Sequence, residues 1–114
     1  MHPEDNYDLE LDVLTVKKMM DDGERFLLVD CREANEVDTA KISGSLHIPM
    51  QQVPARVAEL EAYRDAPIVV HCHHGGRSMR VTQWLRNQGF HSAQNMAGGI
   101  DAWSQLVDRS VPRY

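Results

Sequence analysis

Two short, uninterrupted apolar runs constrain the fold of this chain more than any other feature. "FLLVD" covers residues 26–30 and "PIVVH" covers residues 67–71. A strand with one solvated face alternates apolar and polar residues, whereas a continuous run of this length is typical of a strand buried on both faces. The two runs therefore predict central strands of a parallel sheet that is covered by helices on each side.

Segments with helical spacing lie between the predicted strands. Before the first run, "LELDVL" at residues 9–14 predicts a short strand, and Thr15 is placed to cap a helix that continues to about Asp22. The other predicted elements are a helical turn at "REANEV", a helix over 53–60, a helix over 78–88, a strand at "SAQNM" and a helix after Gly98-Gly99. A loop that contains Gly44 and Pro49 is predicted to follow the helical turn. Strands that alternate with helices indicate an α/β fold with an open, mostly parallel sheet.

Length and composition limit the class of protein. A chain of 114 residues with 42% apolar and 25% charged residues is ordinary for one globular domain, so we expect a single domain over residues 1–114. No run approaches the ~20 apolar residues of a membrane span. The amino terminus lacks the basic start and apolar stretch of a signal peptide, which predicts a cytoplasmic protein with no membrane partner. A net charge of −5 argues against nucleic acid as a partner.

The segment "HCHHGGRS" directly follows the second apolar run and precedes a helix that is expected to begin near Ser78. Ligands of open parallel sheets bind at the carboxyl ends of the strands. A glycine pair lets the backbone curl so that several N–H groups point to one centre, and a helix amino terminus adds partial positive charge. These amides and the side chain of Arg77 are expected to favour a thiolate, so Cys72 is the candidate nucleophile. The candidate anion-binding loop comprises His73, His74, Gly75, Gly76, Arg77 and Ser78.

Other interpretations of this segment remain open. Cys72 could be a buried structural cysteine, which is the commoner role of a lone cysteine. A metal site is not expected, because the contiguous histidines around Cys72 point to opposite sides of a strand end and no second ligand pair exists. The segment also lacks the glycine spacing and the lysine of a Walker motif. We therefore expect neither a metal nor a cofactor.

Three further positions near the predicted sheet edge have less specific roles. Asp30 and Arg32 follow the first apolar run, and charged groups there are expected to pair and brace the loop. Cys31 lies between them and is interpreted as a core residue, although it could resolve a persulfide on Cys72. The sequence leaves the roles of His73 and His74 open. Two cysteines are too few for a disulfide scaffold.

Four segments together resemble the rhodanese-like (single-domain sulfurtransferase) family. They are "LLVDCREANEV", "AKISGSLHIPM", "VVHCHHGGRS" and "WLRNQGFHSAQNMAGGIDAW". The match runs in order over residues 12–114, with Lys41 and His47 standing where the family usually has histidine and asparagine. The resemblance implies an open, mostly parallel five-stranded sheet with helices on both faces.

The resemblance also implies a reaction. Cys72 would take sulfane sulfur from a small anionic donor such as thiosulfate, form a persulfide and pass the sulfur to cyanide or to a thiol of a protein or small molecule. Two alternatives stay open: a cysteine-dependent phosphatase or arsenate reductase of the same fold, and a non-catalytic binding module. Phosphatase relatives have a Cys-x5-Arg loop, whereas Cys72 and Arg77 form the shorter Cys-x4-Arg. The physiological donor, the acceptor and the oligomeric state are not determined by the sequence.

Overall fold

The computed structural model describes residues 7–114. Residues 1–6, on which the expectation of no signal peptide partly depends, lie outside the described residues. Five parallel strands form one sheet in the order β1-β5-β4-β2-β3. The strands are β1 (Glu10–Leu11), β2 (Leu27–Asp30), β3 (Leu46–His47), β4 (Ile68–His71) and β5 (Ala93–Met96). Over this part of the chain, none of the helices is both long and apolar enough to cross a membrane.

Helices cover both faces of the sheet. They are α1 (Val13–Asp21), α2 (Ala34–Thr39), α3 (Val53–Arg56), α4 (Gly76–Asn87) and α5 (Gly99–Leu106), with 3-10 segments at Met50–Gln52 and Val57–Tyr63. Val29 and Val70 of the central strands pack in the core beneath α3 and α4. Their neighbours Leu28 and Val69 point the other way, into the core beneath α1 and α5. The apolar runs are continuous because both sides of each strand are buried, which confirms the predicted fold class.

The predicted start of the first helix is wrong. The strand expected over 9–14 is only Glu10–Leu11, and α1 begins at Val13 rather than after a cap at Thr15. Asp12 is the N-cap, since its carboxylate accepts the backbone N–H of Thr15 at 2.8 Å. A helix begins where a side chain accepts a hydrogen bond from a free N–H group of the first turn. The carboxylate of Asp12 is such an acceptor, and it precedes Thr15 in the chain.

Three other boundaries differ from the prediction. The expected loop around Gly44 and Pro49 contains β3, whose two residues pair with Val29 and Asp30. The segment at 53–60 divides into α3 and the following 3-10 turn. Helix α4 begins at Gly76, two residues before the predicted start near Ser78, because Gly75 takes a left-handed conformation with φ of +116° as its N-cap. Because α4 begins earlier, more N–H groups of its first turn lie near the end of β4, which Cys72 follows.

The topology brings three strand ends together. Strand β4 is central, with β2 on one side and β5 on the other. All three run in the same direction, so the residues that follow them meet at one edge of the sheet. This edge holds Cys72 after β4, Arg32 after β2 and the amino terminus of α5 after β5.

Candidate functional site

Cys72 lies at the floor of a loop of hydrogen-bond donors. Only 1% of the surface of Cys72 is exposed to solvent. The sulfur accepts the backbone N–H of Gly75 at 3.1 Å and that of Ser78 at 3.4 Å, while the Ser78 hydroxyl lies 3.3 Å from it. The left-handed Gly75 turns its own N–H back toward the sulfur, a conformation that glycine adopts without steric cost.

The donors outweigh the effect of burial on the thiol. Burial by itself raises the pKa of Cys72, because a charged sulfur loses its hydration. The hydroxyl of Ser78, followed by the backbone amides of Ser78, Gly75 and Arg77, stabilises the thiolate and brings the pKa of Cys72 below its ordinary value. The geometry therefore supports the interpretation of Cys72 as a nucleophile held in an anion-binding loop.

The amino terminus of helix α5 is hydrogen-bonded to the backbone of this loop. The backbone N–H groups of Ile100 and Asp101 donate to the carbonyl oxygens of Cys72 and His73 at 2.9 and 3.1 Å. Gly99 has a φ of +60°, and a Cβ there would collide with the same two carbonyl groups. The glycine at position 99 is therefore required for the close approach of α5 to the loop.

The side chain of Arg77 contacts a carboxylate rather than the sulfur. Its two Nη atoms donate to the two carboxylate oxygens of Glu36 at 2.6 and 2.9 Å. This pairing brings the pKa of Glu36 down to about 2 and raises the pKa of Arg77. The groups that contact the sulfur are therefore backbone amides and a hydroxyl, whereas the guanidinium of Arg77 contacts Glu36.

Asp30 and Arg32 form a buried pair, as the bracing interpretation expects. Arg32 donates through Nε and Nη2 to the two oxygens of Asp30 at 2.9 and 2.6 Å. The same guanidinium donates to the carbonyl oxygens of Glu36 and Ala40, at 3.3 and 2.7 Å. These bonds hold the middle and the carboxy-terminal cap of α2, the helix that presents Glu36 to Arg77. The pair thus supports the loop through α2 and does not contact the sulfur.

The rings of His73, His74 and Tyr114 stack at the rim of the loop. The His73 ring lies 3.9 Å from each of the other two, and it is nearly parallel to Tyr114, with an interplanar angle of 5°. Tyr114 Oη also donates to Glu36 at 2.8 Å and lies 2.8 Å from Arg32 Nη1. The carboxy-terminal segment of this chain is therefore attached to both the loop and its supporting helix.

Asp101 lies beside the two histidines, so that potential ligand atoms of His73, His74 and Asp101 are within 4.8 Å of one another. The histidine rings are stacked with an interplanar angle of 29°. A metal ion binds in the plane of each imidazole at about 2.0–2.1 Å, and such nearly parallel planes meet farther from the rings than that. Asp101 is also held by Arg113 at 3.0 Å. In this structure the three side chains are held by ring stacking and by the ion pair of Asp101 with Arg113.

Cys31 is a core residue in this structure. It is fully buried and packs in the same apolar cluster as Val29 and Ile48. Burial, together with the nearby charges of Cys72 and Asp30, raises the pKa of Cys31 to about 12. Cys31 is therefore a neutral thiol near pH 7 and a poor nucleophile.

The structure adds residues that the candidate site lacked. Asn95 of β5 binds the hydroxyl of Ser78, with Oγ and Oδ1 2.5 Å apart. Asn95 is a polar residue within the strand predicted at "SAQNM", and the structure places it, 1% exposed, beside β4. Glu36 forms a capping box with Glu33. That pattern indicates the start of a helix, but it does not indicate that Glu36 pairs with Arg77. Tyr114 carries no local signal of its role.

Fold and site together define an α/β protein that holds an acidified cysteine within a ring of amides at the edge of a parallel sheet. The family model of the Rhodanese-like domain matches residues 12–106. The chain belongs to that family, as the four sequence segments predict.

Relatives and solved structures agree with this assignment. The chain is 43% identical over 103 residues to "Adenylyltransferase and sulfurtransferase MOCS3-2" of Zea mays, which covers 86% of this chain but 21% of the relative. It is 34% identical over 96 residues to "Sulfurtransferase" of Allochromatium vinosum, covering 84% of this chain and 88% of that one. The crystal structure of SSP1007 from Staphylococcus saprophyticus is 27% identical, with a TM-score of 0.78, and the match covers 92% of this chain and 99% of that one. The chain thus spans about a fifth of the MOCS3-2 relative and most of the other two.

Proposed function

We propose that the protein is a sulfurtransferase that carries sulfane sulfur as a persulfide on Cys72. The observation that carries this proposal is the ring of donors around the Cys72 sulfur, from the Gly75 amide and from the amide and hydroxyl of Ser78. Such donors stabilise a sulfur anion before and after transfer. A relative of similar length named as a sulfurtransferase supports the same function.

The first step is a displacement at sulfur. The Cys72 thiolate attacks the outer sulfur of thiosulfate, a new S–S bond forms, and the S–S bond of the donor breaks. Sulfite leaves with the electron pair of that bond. The negative charge of the enzyme then lies on the outer sulfur of the persulfide, where loop amides stabilise it.

The second step restores the enzyme. A cyanide ion or a thiolate attacks the outer sulfur and breaks its bond to Cys72 Sγ. Sulfur leaves as thiocyanate or as a new persulfide, and the electron pair returns to Cys72 as thiolate. No net oxidation or reduction of the protein occurs over the two steps, so the chemistry needs no cofactor.

The dimensions of the site favour sulfur over phosphate. Cys72 to Arg77 spans a Cys-x4-Arg loop, one residue shorter than the phosphatase loop. Cys72 is only 1% exposed, so the reacting group must be narrow. The terminal sulfur of a small anion enters end-on, whereas a tetrahedral phosphoryl group needs donors around three oxygens at once.

Intact-mass spectrometry tests this proposal. Incubation with thiosulfate should add the mass of one sulfur atom to the wild type, and cyanide should remove it. Cys72→Ser should show no adduct. Cys31→Ser, the matched control at the other cysteine, should retain it. An adduct that persists in Cys72→Ser would overturn the assignment of the nucleophile, and a wild type that never gains sulfur from any donor would leave a binding function.

A further inference from the structure

The side-chain amide of Asn95 has a determined orientation. Asn95 is 1% exposed. Its Nδ2 donates to the carboxylate of Glu10 at 2.9 Å and to the carbonyl oxygen of Gly75 at 3.3 Å. Both partners are acceptors, so the NH2 group must face them. The carbonyl Oδ1 therefore faces Ser78, whose Oγ lies 2.5 Å away.

This orientation creates a competition for one proton. The hydroxyl of Ser78 has a single hydrogen and lies between two acceptors, Asn95 Oδ1 at 2.5 Å and Cys72 Sγ at 3.3 Å. When the hydrogen points to Asn95, the oxygen turns a lone pair toward Cys72, and that contact is favourable only if the sulfur is a thiol. When the hydrogen points to Cys72, it stabilises a thiolate, and the buried Oδ1 of Asn95 loses its donor.

We propose that Asn95 is a positioning residue that competes with Cys72 for the proton of Ser78 and thereby sets the balance between thiol and thiolate. This deepens the proposed nucleophilic role of Cys72 and rests on it. Ser78 is fully buried, which keeps water from replacing either acceptor. The rotation of one hydroxyl is then enough to exchange the two states.

The same competition suits the sulfur-transfer cycle. In the free enzyme the thiolate takes the Ser78 proton and is ready to attack. In the persulfide, Cys72 Sγ is bonded to carbon and sulfur and carries no charge, so the hydroxyl returns to Asn95. When an acceptor attacks the outer sulfur, negative charge develops again on Cys72 Sγ, and the hydroxyl of Ser78 turns back to stabilise this leaving thiolate.

Among the residues that the structure describes, other titratable groups lie around this cluster on several elements and in the loop itself, where His73 and His74 follow Cys72. Cys31 follows β2, Arg77 on α4 is paired with Glu36 on α2, and Glu10 of β1 holds the amide of Asn95. Of these, only Glu10 acts through Asn95. Its removal also takes away a negative charge, so the part of its effect that passes through the amide is the part that is lost in a Ser78→Ala background.

Asn95→Leu tests the proposal, since leucine keeps the side-chain size and removes the competing acceptor. The rate of Cys72 alkylation by iodoacetamide is measured against pH in the whole chain. The midpoint should move to lower pH, and below it the reaction should be about threefold faster. A shift of one pKa unit gives about tenfold more thiolate, and the lower nucleophilicity of a more acidic thiol removes part of the gain.

Two further variants distinguish positioning from general disturbance. In a Ser78→Ala background, Asn95→Leu should leave the alkylation curve unchanged, because no hydroxyl remains to be contested. Glu10→Ala alters an exposed residue and loosens the amide, so it should shift the midpoint in the same direction but less. If Asn95→Leu does not fold, the comparison of Glu10→Ala with Glu10→Ala in a Ser78→Ala background decides the question, because only the direct effect of the charge remains in the second protein.

The proposal is overturned if Asn95→Leu or Glu10→Ala alkylates as the wild type does, or if the shift of Asn95→Leu survives in Ser78→Ala. Alkylation needs only a reactive thiol and no sulfur donor. A failed sulfurtransferase assay would therefore count against the proposed function without affecting this result.

Discussion

The guanidinium of Arg77 and the carboxylate of Glu36 form a two-bond ion pair between helices α4 and α2, with contacts of 2.6 and 2.9 Å. The two residues are separated by 41 positions in the sequence. A bidentate pair of this kind fixes direction as well as distance. Next to Cys72, the loop therefore carries a positive group whose charge is already compensated.

Removing one member of this pair should change the acidity of Cys72. Arg77→Ala leaves the Glu36 carboxylate without its partner near the loop, which should raise the pKa of Cys72. Alkylation below the midpoint should slow by less than about tenfold, because the amide ring remains and solvent screens a partly exposed charge.

Two control variants complete this measurement. Arg77→Lys keeps the charge and should retain most of the thiolate, and Glu36→Ala with Arg77→Ala should return the alkylation curve toward that of the wild type. Identical curves for all four proteins would show that the pair only holds the loop in place.

We expect the width of the loop to determine the reaction class. The wild type should turn over thiosulfate with cyanide and should release no phosphate from aryl phosphates, since a Cys-x4-Arg loop does not surround a tetrahedral phosphoryl group. Thiocyanate and phosphate release are measured side by side, with Cys72→Ser as the blank for each. Phosphate release that depends on Cys72 would instead assign the protein to the phosphatases.

His71 should make the protein less stable in mild acid. The ring is fully buried, and burial lowers the pKa of His71 to about 4 from 6.5. Between these values the unfolded chain binds a proton that the folded chain does not, so the free energy of unfolding falls as the pH drops from 6.5 to 4. The loss attributable to His71 is about 3 kcal/mol at most.

Urea unfolding at several pH values measures this contribution. His71→Leu should lose less stability than the wild type across the window, because it has no proton to gain on unfolding. His91→Gln, at an exposed histidine, should keep the pH dependence of the wild type. If His71→Leu followed the same pH profile as the wild type, other groups would be responsible for the acid sensitivity.

Gly99 should be sensitive to the addition of a single methyl group. In Gly99→Ala the Cβ would press on the carbonyl groups of Cys72 and His73, in addition to the cost of a φ of +60°. Gly44 is a matched control, since its φ is +87° and a Cβ there meets nothing within 4 Å. Gly44→Ala should cost about 1–2 kcal/mol in the free energy of unfolding.

Gly99→Ala should cost more than Gly44→Ala and should also slow alkylation of Cys72, because the loop must move to make room. Thermal unfolding and alkylation are measured on both variants. Equal losses of stability, with an unchanged Cys72, would mean that α5 does not position the loop.

Local patterns in the sequence determined the main features of the fold and the position of the candidate nucleophile. The runs at 26–30 and 67–71 predict buried strands because a strand covered on both faces needs apolar side chains at every position. Cys72 and the glycine pair that follows it lie at a strand end, and parallel strands direct that end toward the ligand edge of the sheet. These features depend on neighbours in the chain, so a single sequence is enough to find them.

Tertiary structure decided the features that depend on residues distant in sequence. Strand β3 is two residues long and exists only because Leu46 and His47 pair with β2, so it has no periodic pattern of its own. Arg77 could have faced an anion or a carboxylate, and the placement of α2 decided for Glu36. Asn95 reaches Ser78 only because β5 lies beside β4. Contacts of this kind form where strands and helices pack, and pairing across the sheet leaves no spacing within either segment that a sequence pattern could reveal.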